Sequence, residues 1–225
     1  MKQIVLNCQL SDHALENMIR RYHFNDTDFL LSKKIYQRIR SLSEVKAFYK
    51  ITTDIEMDRV TDVEINVGHD KSVICVMTLG NALDKLQDEY HALGKELEVY
   101  LIECLAMFIL EQSYTEFAHV IIQETGLCLE QIIFPDIEEK GKDYHLRRGH
   151  CKTQEISMIE IVDQLSRQGM TDVIYNQAGV LIPKKSVVFY STLGESHKDV
   201  KTDHSANICE QCSNKECTNR KKRKK

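Results

Sequence analysis

The chain has 225 residues, 42% hydrophobic and 28% charged, which excludes a wholly disordered protein. Nine Gly and two Pro leave little room for long irregular stretches, so helix should be plentiful. The net charge of −4 becomes −10 once the six basic residues 220–225 are set aside, and an acidic body argues against a nucleic-acid-binding face.

Taken in order, residues 4–6 form a short apolar run expected to be an edge strand. Ser11-Asp12-His13 offers N-cap chemistry, and Leu15, Met18, Ile19 and Tyr22 recur at helical spacing. A second helix is expected after Asn25-Asp26-Thr27, with Leu30, Leu31, Ile35 and Ile39 on one side. Residues 48–53, 60–67 and 71–78 carry strand patterns, the last ending at Leu79-Gly80.

The strongest periodicity follows. Leu83, Leu86, Tyr90, Leu93, Leu97, Leu101, Leu105 and Phe108 recur at intervals of three and four, the mark of one buried helical face. Gly94 is expected to divide this stretch in two, since Gly costs about 1 kcal/mol inside a helix. Leu97, Leu101, Leu105 and Phe108 are expected to be nearly buried. Helix should resume over 117–122 and stop at Gly126. The near-apolar stretch 99–110 is interrupted by Glu103 and is too short for a membrane span, which requires about 20 residues.

Residues 127–134 read as a strand, 136–149 as a polar loop and 153–168 as a helix. Three short strands should follow, at 173–175, 180–182 and 186–191. Strands and helices that mix without βαβ alternation imply an α+β fold. After Leu193 the only aliphatic residues larger than Ala are Val200 and Ile208. The expected organisation is therefore a folded domain over 1–195 and a Cys-containing basic tail over 196–225.

Eight cysteines without a secretory signal point to a reducing cytoplasm, where thiols stay free or bind metal. Cys209, Cys212 and Cys217 are the clustered set. The C-x2-C pair brings two thiolates to one ion and the third lies within reach, so zinc or an iron–sulfur cluster is the expected occupant. A second candidate is the loop around Arg147, Arg148, Gly149 and His150, where Gly admits close backbone approach and the guanidiniums suit a carboxylate. No Walker, G-x-S-x-G or H-E-x-x-H motif is present, and no self-contained catalytic constellation is seen.

Several segments together resemble the activation domain of cobalamin-dependent methionine synthase, in particular its free-standing anaerobic form. They are LENMIRRY at 15–22, Thr78-Leu79-Gly80 with the helix after it, 149–154, and AGVLIPKKSVVFYSTLG at 178–194 with Pro183, Ser186 and Val187 in register. Cys209, Cys212, Cys217 and Arg220 also match the C-x2-C-x4-C-x2-Arg tail of the short members.

The resemblance implies a twisted antiparallel sheet bordered by helices. It implies S-adenosylmethionine as ligand and cobalamin carried by a partner, a corrinoid-binding methionine synthase or related corrinoid protein. There, cob(II)alamin takes up one electron and then the methyl group of S-adenosylmethionine, which restores methylcobalamin. The family's Arg-x-x-Pro-Gly-Tyr loop falls on His145, Arg148, Gly149 and His150, so only the Gly is kept. Arg147 and Arg148 are then the expected carboxylate partners, with Gly149, His150 and Tyr190 completing the ligand set. No membrane role and no nucleic acid are expected.

Overall fold

The computed structural model describes residues 2–52, 71–135, 157–167, 169 and 171–195. The fold is α+β, built on a five-stranded antiparallel sheet in the order β1-β2-β3-β7-β4. The strands are β1 (Lys2–Leu6), β2 (Val45–Thr52), β3 (Ser72–Thr78), β4 (Cys128–Ile133) and β7 (Ser186–Gly194). A separate hairpin pairs β5 (Ile174–Tyr175) with β6 (Leu181–Ile182). The strand expected at 60–67 and the loop expected at 136–149 lie outside the described residues.

Central strand β3 is buried along its whole length because both faces of the sheet are covered. Val73, Cys75 and Met77 face a layer of four helices, whereas Ile74 and Val76 face a fifth helix on the other side. Two covered faces explain why this strand reads as an unbroken apolar run rather than an alternating one.

The four-helix layer begins with α1 (Asp12–Arg21), which starts where Ser11 accepts a hydrogen bond from the Ala14 N–H at 3.1 Å. A single 3₁₀ turn, Asp26–Asp28, leads into α2 (Phe29–Leu42). Next come α3 (Asn81–Ala92) and α4 (Glu96–Thr125). Gly94 separates α3 from α4 at φ +68°, a left-handed conformation that other residues adopt at a cost.

α4 is one continuous helix of 30 residues, about 45 Å long, and not two pieces with a gap before 117. Between the two expected pieces lies the largely polar run 111–116. Its groups are satisfied without breaking the helix: Ser113 Oγ donates to Ile109 O at 2.7 Å, and Glu111 pairs with Arg21. From Leu101 to Ile121 this helix is buried on nearly every side, between α1 and α2 and the sheet.

Leu101 and Leu105 are fully buried and Phe108 nearly so, as the periodicity requires. Leu97 is not: it is 44% exposed, and Leu93 is 69% exposed. Packing on α4 begins one turn later than the pattern suggests, at Leu101 rather than Leu97. The core below is anchored by edge-on aromatic contacts, with Tyr49 and Phe117 at 5.2 Å and Phe117 and Phe189 at 5.7 Å between ring centres.

On the opposite face lies α5 (Met158–Arg167). It starts at a capping box in which the Glu160 N–H donates to Ser157 Oγ and the Ser157 N–H to Glu160 Oε2. That box sets the start at Met158; residues 153–156 of the expected helix lie outside the described residues. Met158, Ile161, Val162 and Leu165 pack on Ile74, Val76 and Val188. No helix among the described residues is long and apolar enough to cross a membrane.

Candidate functional site

Two segments singled out in the sequence, 78–80 and 183–186, meet at one end of the central strands. β3 and β7 are antiparallel neighbours with Thr78 opposite Ser186. The Leu79 N–H donates to Lys185 O at 3.0 Å. Thr78 Oγ1 accepts from the Gly80 N–H at 3.0 Å and lies 2.8 Å from Ser186 Oγ, which is 2.6 Å from Pro183 O. A carbonyl only accepts, so a consistent proton order runs from Gly80 N–H to Thr78, Thr78 to Ser186, and Ser186 to the Pro183 carbonyl. The Ile182–Pro183 peptide is cis.

The helices hold the same turn from the other side. Asp84 on α3 accepts from the Lys184 N–H at 2.9 Å. The Lys185 side chain is 9% exposed and ion-paired with Glu103 of α4. Glu103 also accepts from Gln87 Nε2 of α3 at 3.1 Å. Burial pushes the Glu103 carboxyl up, but its bonds to Lys185 and Gln87 outweigh burial and hold it below its ordinary value. The carboxylate therefore stays charged at neutral pH, as the nearly buried lysine requires.

β7 carries the chain from this junction to Tyr190, which stands opposite Ile74 on one side and Ile133 on the other. Alternation along the strand puts Val188 and Tyr190 on the α5 face, while Phe189 enters the helical core. The hairpin β5–β6 closes the end of that face. Its Tyr175 hydroxyl donates to Asp163 of α5 at 3.0 Å. The arrangement fixes the placement of β7. Among the described residues it brings together no nucleophile, base and acid.

Of the residues singled out from the sequence, Tyr190 is placed as above. Arg147, Arg148, Gly149, His150, Cys209, Cys212 and Cys217 lie outside the described residues, so their mutual placement is not part of this geometry. Cys8, Cys75, Cys104 and Cys128 are free thiols. No group of three or more His, Cys, Asp or Glu side chains that could hold a metal occurs among the described residues.

Sequence reasoning missed Glu103 and Lys185 as partners. The signal was there for one of them: Glu103 is the single charge inside the apolar stretch 99–110, and a charge on a packed helix needs a counter-charge. Nothing local marks Lys185 as that partner, since it sits beside Lys184 in a stretch that reads as surface.

No family model and no curated protein matches this chain. Among solved structures it is similar to one titled as the crystal structure of the MetH reactivation domain bound to AdoHcy. The TM-score is 0.46 and the identity 11%, over 88% of this chain and 79% of that chain. At that distance, function has to be argued from this chain's own residues.

Proposed function

We propose that this chain is an accessory protein for reductive reactivation of cobalamin in methionine synthesis. It would bind S-adenosylmethionine as methyl donor and dock on a corrinoid-binding methionine synthase or related corrinoid protein in the cytoplasm. The observation that supports this reading is the junction just described. Thr78-Leu79-Gly80 and the segment with Pro183, Ser186 and Val187 carry the family resemblance about a hundred residues apart in sequence, and they are hydrogen-bonded to each other in the fold.

In this reading the partner's corrinoid supplies the cobalt that accepts an electron and a methyl group. The chain's own work is to bind and orient. Arg147 and Arg148 hold the methionyl carboxylate through charge-assisted bonds. Gly149 admits close approach of the ligand to the backbone. His150 and Tyr190 flank it. Positioning of this kind needs no general acid or base from the chain.

A second reading, a thiolate module that binds zinc or an iron–sulfur cluster, is favoured by the spacing of Cys209, Cys212 and Cys217. Three thiolates leave one position of a tetrahedral metal open. The two readings are compatible, because an activation protein can carry its own electron donor.

The test is calorimetry of the full chain with S-adenosylmethionine, alone and with a cobalamin-loaded corrinoid protein, alongside a pull-down of the two proteins. Binding in either setting is expected. Absence of S-adenosylmethionine binding in both overturns the activation reading.

A further inference from the structure

A cavity of about 250 Å³ opens where the end of β1, the C-terminal end of α2 and the start of β2 converge, with Leu79 of the junction on its wall. Its lining is part apolar, with the buried Leu6, Ile39, Leu79 and Ile109, and part polar, with Asn7, Ser43, Arg40 and Glu44. The side chains of both charged residues are exposed, and neither has a hydrogen-bond or ion-pair partner among the described residues.

Arg40 lies in the last turn of α2 and Glu44 two residues beyond its end, so a positive and a negative side chain stand at the same end of the helix. Glu44 offers a carboxylate suited to an ammonium. Arg40 offers a planar fork suited to a carboxylate. At about 30 Å³ per water-sized volume, the cavity has room for about eight such volumes, enough for a solute of eight or nine heavy atoms.

We propose that this cavity binds a free amino acid with an apolar side chain. The side chain lies against Leu6, Ile39, Leu79 and Ile109. The carboxylate meets Arg40, and the ammonium meets Glu44. A purely apolar ligand leaves both charges unused, and a simple anion or cation leaves one unused. The site shares Leu79 with the junction but does not require the activation reading.

The test is an NMR titration of the isotope-labelled full chain with L-leucine, compared with two analogues. In 4-methylpentanoate the ammonium is missing; in isopentylamine the carboxylate is missing. Leucine is expected to shift the Leu6, Leu79 and Ile109 amides with a dissociation constant of about 1 mM. Each analogue, and each of Arg40→Gln and Glu44→Gln, is expected to bind about tenfold more weakly. Both variants are at exposed positions, so an otherwise unchanged spectrum shows that the fold is kept. No shift at these residues up to roughly 10 mM leucine overturns the proposal. So does equal binding by either analogue, or equal leucine binding by either variant.

Discussion

Lys185 and Glu103 lie 82 residues apart in the chain and form an ion pair in which the lysine is the deeper partner, with side-chain exposures of 9% against 40%. The asymmetry decides what each deletion does. Glu103→Ala strands a nearly buried ammonium and is expected to destabilise by about 2–4 kcal/mol, near the cost of breaking a buried pair. Lys185→Met fills the same space and leaves a carboxylate that water can reach, so about 1 kcal/mol or less is expected. Urea denaturation of both variants checks this. Equal losses would mean that the lysine is solvated.

The packing of α4 gives a second contrast. Leu101→Ala removes a fully buried side chain and is expected to cost about 2–5 kcal/mol. Leu97→Ala, one turn earlier on the same stripe but 44% exposed, should cost about 0.5 kcal/mol or less. Thermal or chemical melts of the two variants distinguish this packing from a stripe buried from its first turn.

Acid should weaken the fold partly through Glu103. Its carboxyl is held below its ordinary value in the folded state, so between the two values the unfolded chain binds the proton more readily. The contribution is full above the unfolded value of about 4.3 and is lost as pH falls through the lower folded value. Stability measured across that window should decline, and the decline should be shallower in Glu103→Gln. An identical pH slope in wild type and variant would remove Glu103 from the account.

The ligand reading predicts that changing Arg147 and Arg148 together to Ala weakens S-adenosylmethionine binding. The expected loss is about 1.5–3 kcal/mol for each charge-assisted bond removed. Calorimetry on the double variant measures it. An unchanged affinity would place the carboxylate on other residues.

The tail reading predicts two results. Deleting 196–225 should move the melting temperature only slightly, because β7 ends at Gly194 and only Val200 and Ile208 beyond it are aliphatic residues larger than Ala. Insoluble protein would instead show that the core needs those residues. Replacing Cys209, Cys212 and Cys217 by Ser should abolish zinc or iron retained by anaerobically purified protein, since thiolates are the ligands on offer. Metal content unchanged by the substitution would locate the metal elsewhere.

Local chemistry was enough to determine most elements of this protein. Ser11 caps α1 through its own side chain, Gly94 breaks the long helical pattern through its backbone freedom, and Gly126 terminates α4, each within a few residues of its effect. Alternation and β-rich runs likewise marked β3 and β7 as strands. Which strands pair was decided only by the tertiary structure: β7 lies between β3 and β4 although more than fifty residues separate it from either. The same holds for Leu97, whose exposure depends on where neighbouring elements end, and for Lys185, whose charge is stabilised by a helix 82 residues away. Periodicity reports what a segment can bury; only the folded chain supplies the surface it is buried against.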